Sequence, residues 1–200
     1  MTADAVETTF TELAVGIEGI VLRRFRRDDV PALVRYANDP RIAANLRDAF
    51  PHPYTETDAR AWLESADDDS DELSLALATP AEVIGGIGLK REVDVQCASR
   101  EIGYWLGAPF WGRGIATAAV RRLTDWAFAQ LEVQRVWGGV YSSNPASCRV
   151  LEKAGYLYEG TLRHSVTKRG RLLDQLVFAR VRGDESTPSI SDRAARRARP

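Results

Sequence analysis

Backbone donors at a glycine-rich turn are the first groups in this chain that could do chemistry. Gly112 and Gly114 flank Arg113, and small and apolar residues with helical spacing follow from Ile115. Glycine lets successive N–H groups turn toward one point, and the unpaired N–H groups of a first helical turn add the positive end of the helix dipole. The pattern predicts an anion cradle, although an ordinary tight connection between a strand and a helix explains the same residues.

Two nucleotide-binding loops do not fit this turn. A Walker loop requires Gly-Lys-Ser/Thr, and the dinucleotide fingerprint requires a third glycine and an acidic residue on a second strand. Residues 111–117 carry neither pattern. The predicted anion therefore does not follow from a known nucleotide-binding motif.

Carboxylate, amide and hydroxyl side chains occur before and after the turn. Glu101 is the first candidate for a general base, and the alternative is a contact with neighbouring strands or with solvent. Asn144 and Ser147 open a later helix, where both residue types commonly cap free N–H groups. His52, a lone histidine between two prolines, ranks behind Glu101 as a base or as an acceptor contact.

Length and composition limit the class of protein. The chain has 200 residues, of which 44% are hydrophobic and 28% charged, and its net charge of −1 is typical of one globular domain. Two cysteines and two separated histidines give neither a disulfide framework nor a metal-ligand spacing, so no metal is expected. The near-neutral net charge gives no reason to expect nucleic acid as a partner. No signal-peptide pattern indicates export, and no apolar run of bilayer length indicates a membrane span. A cytoplasmic enzyme is expected.

The turn requires a strand before it and a helix after it, and the rest of the sequence supplies a sheet. Strand patterns cover residues 19–24, 73–78, 83–89, 101–106, 135–140, 156–163 and 172–180, and helical patterns cover residues 30–36, 41–46, 56–65, 115–132 and 146–154. Residues 1–18 are expected to be a loosely ordered lead-in, residues 19–182 the folded domain, and residues 183–200 a disordered Arg-rich tail.

This order of elements resembles the GNAT acyl-coenzyme A N-acyltransferase superfamily. Two blocks carry the resemblance: EIGYWL at 101–106 with FWGRGIATAA at 110–119, and NPASCRVLEKAGY at 144–156. The second block is similar to the ribosomal-protein N-terminal acetyltransferase (Rim-type) branch. The resemblance implies one α/β (α+β) domain, with a mixed and mostly antiparallel twisted sheet of about seven strands. It also implies helices on both faces and a splayed pair formed by the fourth and fifth strands of the family.

The resemblance implies that the turn binds the pyrophosphate of acetyl-coenzyme A, while a strand edge hydrogen-bonds the pantetheine arm and stabilises the oxyanion. The implied coenzyme A-binding residues are Trp105, Leu106, Gly107, Trp111, Gly112, Arg113, Gly114, Ile115, Ala116, Thr117, Asn144, Ser147 and Arg149. The family usually has Gln or Arg at the position of Trp111. It often has a tyrosine acid where Leu151 stands, so this chain departs from the pattern twice.

The same resemblance implies the reacting groups. Glu101, Ser147 and Asn144 are the implied catalytic residues; Ser147 donates to sulfur or positions coenzyme A, and Asn144 caps its helix or contacts the pantetheine amide. The implied acceptor pocket contains Phe50, His52, Tyr54, Tyr104 and Glu159. The expected acceptor is a small-molecule amine or a protein N-terminal amine, attacking directly through a tetrahedral intermediate. Transfer of a longer acyl group such as succinyl, a non-catalytic acyl-coenzyme A binding module, and a homodimer stay open.

Overall fold

One mixed sheet carries the helices of this chain, and the computed structural model describes residues 10–66 and 72–184. The strands are β1 Leu13–Ala14, β2 Val21–Arg23, β3 Glu72–Ala78, β4 Val83–Arg91, β5 Ser99–Leu106, β6 Arg135–Tyr141, β7 Leu157–Lys168 and β8 Arg171–Val181. The helices are α1 Val30–Ala37, α2 Pro40–Ala43, α3 Glu56–Ala66, α4 Ile115–Gln130 and α5 Pro145–Lys153. Residues 185–200 of the expected Arg-rich tail and residues 1–9 of the lead-in lie outside the described residues.

The sheet has the order β1-β2-β3-β4-β5-β6-β8-β7. Every neighbouring pair is antiparallel except β5 and β6, which are parallel because α4 crosses over between them. The expected mixed and mostly antiparallel sheet is confirmed. It has eight strands rather than about seven, because Leu13 and Ala14 pair with β2.

The described part of the lead-in, residues 10–18, is packed on the domain. Phe10 is buried, and its ring meets the ring of Trp126 edge-on at 5.0 Å between centroids. Val15 is also buried in the same core. The expectation of loose order is not met for these residues, since a strand of two residues is too short to show an alternating pattern in the sequence.

The two faces of the sheet carry separate cores. On the α4–α5 face, Leu123 and Leu151 pack in one cluster with Ile102 of β5. On the α1–α3 face, Leu33 and Leu63 pack in a second cluster that Trp105 of β5 also contacts. Alternation along a strand thus sends the even-numbered residues of β5 to the α4–α5 face and the odd-numbered ones to the α1–α3 face. Within residues 10–66 and 72–184, no helix is long and apolar enough to cross a membrane.

Candidate active site

A gap between β5 and β6 is the central feature of the site. The two strands pair only from Ser99 to Glu101 and from Arg135 to Trp137, although β5 continues to Leu106 and β6 to Tyr141. Their carboxyl ends therefore diverge and leave two strand edges without a ladder between them. The splayed pair expected from the sequence is confirmed.

A cavity of about 990 Å³ runs through this gap and is lined from both faces of the sheet. Tyr104 and Ser147 line it from the α4–α5 face, while Glu101 and Trp105 line it from the α1–α3 face. Its size is that of a pocket for a cofactor-sized ligand. Two ligands that approach from opposite faces of the sheet can therefore meet in the gap.

Glycines on three neighbouring strands lie in the cavity lining on the α1–α3 face. A Cβ added at Gly103 of β5 would meet nothing within 4 Å. A Cβ at Gly88 of β4 would lie 2.7 Å from Oε1 of Glu72, and one at Gly139 of β6 would lie 2.1 Å from Nε2 of Gln175. Side chains from flanking strands thus extend over bare backbone, and the floor at Gly103 stays open.

The glycine-rich turn has the backbone geometry of the predicted anion cradle. Gly112 and Gly114 have φ of 74° and 75°, a left-handed conformation that side chains rarely adopt. The N–H of Ala118 donates to Gly114 O at 3.0 Å, so the N–H groups before it in α4 have no intrahelical acceptor. The turn is exposed and lines the cavity through residues 111, 112 and 114–117. Arg113 is not among the lining residues; its guanidinium lies 6.0 Å from the ring centroid of Phe110.

Trp111 anchors this turn to the end of β5. Its indole Nε1–H donates to Leu106 O at 2.6 Å, and the guanidinium of Arg41 lies 5.0 Å from its ring centroid. The tryptophan thus holds the turn in place through a hydrogen bond and a cation–π contact. This gives a local role to a residue that departs from the usual Gln or Arg of the family.

The backbone N–H groups that β5 directs to the gap differ in part from those expected. The N–H of Gly107 donates to Ile84 O at 2.8 Å, so it points toward β4 and away from the gap. Because backbone groups alternate between the two sides of a strand, Trp105 also directs its N–H and C=O toward β4. Tyr104 and Leu106 then present their N–H groups to the gap. Of the three residues expected beside the pantetheine arm, Trp105 and Gly107 therefore direct their N–H groups to β4, and Leu106 directs its N–H to the gap.

The start of α5 brings three polar side chains together on the α4–α5 face. Oδ1 of Asn144 accepts a hydrogen bond from the Ser147 N–H at 3.2 Å, which confirms the capping role. The hydroxyls of Tyr104 and Ser147 lie 2.7 Å apart, and burial raises the pKa of Tyr104. Tyr104 therefore stays protonated at ordinary pH, and it lies on this face, opposite to the face that carries Phe50 and Tyr54. Leu151, at the position of the family's tyrosine, is buried in the core.

The opposite end of the cavity is charged. Glu101 forms an ion pair with Arg47 at 2.5 Å, and this hydrogen bond raises the pKa of Arg47. Glu72 lines the same end, and its pKa is raised by burial. In the strand register, Glu72 of β3 lies opposite Lys90 of β4, and Lys90 lies opposite Glu101 of β5. The three residues therefore form a row across the α1–α3 face.

Aromatic rings form a wall beside these charges. Phe50 stacks on Tyr54 with centroids 5.1 Å apart and meets Trp105 edge-on at 6.0 Å. Phe50 and Tyr54, both expected in the acceptor pocket, line the cavity. Tyr54 is buried, and burial raises its pKa to about 12, so it presents a neutral ring and hydroxyl.

Two expected acceptor residues lie elsewhere. His52 is exposed and is not among the residues that line the cavity. Glu159 on β7 accepts hydrogen bonds from the guanidinium of Arg135 at 2.7 and 2.5 Å, which lowers the pKa of its carboxyl. Its strand orientation directs it to this partner and not into the cavity. Arg149 of α5, expected to meet a phosphate, does line the cavity.

No sequence motif indicated three of the cavity residues: Arg47, Glu72 and Gln175. Arg47 lies in an irregular segment, and the other two become neighbours of the site only through strand pairing. The strand register that the structure shows places Glu72 in line with Glu101, and no sequence signal indicated this register. Within the described ranges, 10–66 and 72–184, no three His, Cys, Asp or Glu side chains gather as a metal site.

Relatives and solved structures share this architecture. The chain is 29% identical over 180 residues to the uncharacterized N-acetyltransferase p20 of Bacillus licheniformis. The matched region covers 87% of this chain and 96% of that protein. Ribosomal α-N-protein acetyltransferase RimL, solved in complex with coenzyme A, superposes with a TM-score of 0.76 at 19% identity, over 86% of this chain and 98% of that one. RimJ of Mycobacterium smegmatis, in complex with a coenzyme A disulfide, gives a TM-score of 0.74 at 23% identity over 90% of each chain.

A family model decides what kind of protein this is. The model described as acetyltransferase (GNAT) domain matches residues 20–157, which is more than half of the chain. The match contains the glycine-rich turn, both strands of the gap and the start of α5. The resemblance read from the sequence is therefore confirmed, and the chain belongs to the GNAT acetyltransferase family.

Proposed function

We propose that this protein transfers the acetyl group of acetyl-coenzyme A to a primary amine, with the two substrates entering the gap from opposite faces of the sheet. The cavity that passes between β5 and β6 is the observation that supports this assignment most directly. When bound, acetyl-coenzyme A supplies the activated carbonyl carbon and a thiolate leaving group. The residues present fit this group, because the turn offers a diphosphate several N–H donors without intrahelical acceptors.

The α4–α5 side of the gap holds the donor. The turn from Trp111 to Thr117 binds the diphosphate, and Arg149 at the mouth of the cavity adds positive charge. The N–H groups of Tyr104 and Leu106, on the edge that faces the gap, bind the arm and the carbonyl oxygen. Ser147 Oγ–H, held by Tyr104, donates a hydrogen bond to the sulfur as the C–S bond breaks, which stabilises the departing thiolate.

The α1–α3 side receives the amine. An ammonium group must lose a proton before its nitrogen can attack, and the carboxylate of Glu101 takes that proton. Its side chain is only 16% exposed, so it acts from inside the cavity and not from the protein surface. Phe50, Tyr54 and Trp105 exclude water from the carbon chain of the amine.

A glycine pair tests where the diphosphate binds. Gly114 and Gly170 have φ of 75° and 76°, and an added Cβ would meet nothing within 4 Å at either position. Ala at each site should therefore cost a similar ~1 kcal/mol of backbone strain. Only Gly114→Ala should weaken binding of coenzyme A in calorimetry, because Gly170 lies in the hairpin turn between β7 and β8.

Thiol release with a panel of primary amines, read with acetyl- and succinyl-coenzyme A, completes the test. Acetyl transfer requires thiol release that depends on the amine and is faster with the acetyl donor. A preference for succinyl-coenzyme A would assign the longer acyl group, and binding without thiol release would assign a binding module. No binding of coenzyme A at millimolar concentration would overturn the proposal altogether.

A further inference from the structure

An arginine from outside the sheet already occupies the acceptor end of the cavity. Arg47 belongs to the segment between α2 and α3, and its side chain is 62% exposed. Its guanidinium nevertheless reaches the carboxylate of Glu101, whose side chain is 16% exposed. The partner on the solvent side is thus the cation, and the recessed partner is the carboxylate.

A second carboxylate, that of Glu72, lines the same end of the cavity. Glu72 interacts electrostatically with Arg47 and with Glu101, and its own side chain extends over Gly88 on the cavity floor. Lys90 stands between the two glutamates in the strand register and is exposed. Tyr141 also faces this group.

Asp48, the neighbour of Arg47, holds the segment from the other side. Its carboxylate accepts a hydrogen bond from Lys168 of β7 at 2.5 Å, and the Lys168 side chain is only 8% exposed. Asp48 itself is 71% exposed and is already paired, so it does not replace Glu101 as the partner of Arg47. The two adjacent residues thus tie one segment to β5 and to β7.

The cost of separating Arg47 from Glu101 falls unequally on the two groups. Arg47 is already exposed, so water solvates its guanidinium after separation and the arginine loses little free energy. Glu101 stays recessed, and a partly buried carboxylate without a counter-charge is unfavourable. Any molecule that displaces Arg47 must therefore bring a positive charge to Glu101.

We infer that the Arg47 guanidinium holds the place of the acceptor's ammonium group, and that the acceptor is a cationic amine with no carboxylate close to its nitrogen. The inference rests on the proposed acetyl transfer. Two carboxylates around one cation favour a second positive charge on the acceptor and oppose a negative one. Arg47 then leaves Glu101 each time an acceptor binds.

Three amines of equal chain length test this inference: propylamine, 1,3-diaminopropane and β-alanine. We expect kcat/KM to fall in the order 1,3-diaminopropane, propylamine, β-alanine. Arg47→Gln should lower KM for the two cationic amines by about two- to fivefold, because it removes the internal competitor. Arg47→Lys should restore wild-type values. Calorimetry of each amine with the coenzyme A-bound protein gives the same comparison without turnover.

Arg60→Gln is the matched control. Arg60 is also 62% exposed and also forms a 2.5 Å ion pair with a glutamate, but on the outside of α3. It should leave all three amines unchanged. Unchanged amine binding in Arg47→Gln would overturn the inference, and so would a preference for β-alanine that Arg47→Gln abolishes, since Arg47 would then bind an acceptor carboxylate. Binding of coenzyme A to the wild-type protein is measured first, because absence of binding would overturn the proposed function and not this inference alone.

Discussion

At the scale of single residues, the chain has Leu151 where the family often has a tyrosine, and the hydroxyls of Tyr104 and Ser147 are paired on the same face of the sheet. The two hydroxyls lie 2.7 Å apart, and a protonated tyrosine can orient the serine hydroxyl toward the gap. Tyr104→Phe should therefore lower kcat for thiol release by about fivefold, since a neutral hydrogen bond is worth about 1 kcal/mol. Affinity for coenzyme A should change little.

A double mutant separates positioning from packing. If Tyr104 acts only through Ser147, Ser147→Ala combined with Tyr104→Phe should be as slow as Ser147→Ala alone. Thiol-release assays on the wild-type protein, the two single variants and the double variant measure the four kcat values. Independent, multiplicative losses in kcat would show that the tyrosine does not act through the serine.

Glu72 gives a prediction about stability and pH. Burial raises its pKa above the ordinary 4.5, so the folded protein binds this proton more tightly than the unfolded chain does. The carboxyl therefore favours folding most at low pH, and that contribution is lost as pH rises through the raised pKa. Glu72→Gln should gain stability relative to wild type across this window and keep the gain above it. Urea unfolding at a series of pH values measures the difference.

Glu159 provides the control of opposite sign. Its pKa is lowered by Arg135, so its ionised form favours folding above the ordinary 4.5, and this contribution disappears as pH falls through the lowered pKa. Glu159→Gln should therefore be less stable than wild type at neutral pH and equal to it in acid. The same trend in both variants would contradict the assignment of Glu72 as a buried carboxyl.

At the scale of elements, local sequence patterns predicted the structure well. Helices α4 and α5, the strand that precedes the turn, and the glycines of left-handed conformation are all consistent with periodicity and residue type. The cap at Asn144 was predicted on the same grounds. These features depend on neighbours in the chain, so the sequence carries them in full.

Local patterns did not predict four features that depend on pairing between distant segments. Strand β1 is two residues long and is identified by its pairing with β2. The direction of the Gly107 N–H depends on the register with β4, and Tyr104 reached Ser147 on the α4–α5 face because of the strand's alternation. The contact of Arg47 with Glu101 spans 54 positions in the chain and has no local signal. Tertiary register decided each of these outcomes.

At the scale of the whole molecule, the sheet separates two layers of helices and is open between the carboxyl ends of β5 and β6. Helices α4 and α5 cover one face, helices α1 and α3 cover the other, and the cavity joins the two faces where β5 and β6 separate. In the proposed function, the donor and the acceptor bind on different faces of the sheet. Closing the opening should separate the two binding events without destroying either core.

Gly103→Val tests this separation. Its Cβ would meet nothing within 4 Å, and a β-branched residue suits a strand, so the folded state should be at least as stable as wild type. The added methyl groups should fill the cavity floor beside Glu101, which should reduce amine-dependent thiol release at least tenfold by displacing the acceptor from its reactive position. Gly160→Val is the matched control, because Gly160 lies on β7 with equally open space around its Cβ and is not among the cavity-lining residues. Thermal unfolding, coenzyme A calorimetry and thiol release on both variants would show whether activity is lost at Gly103 alone. Wild-type turnover in Gly103→Val would mean that the amine does not approach through the α1–α3 face.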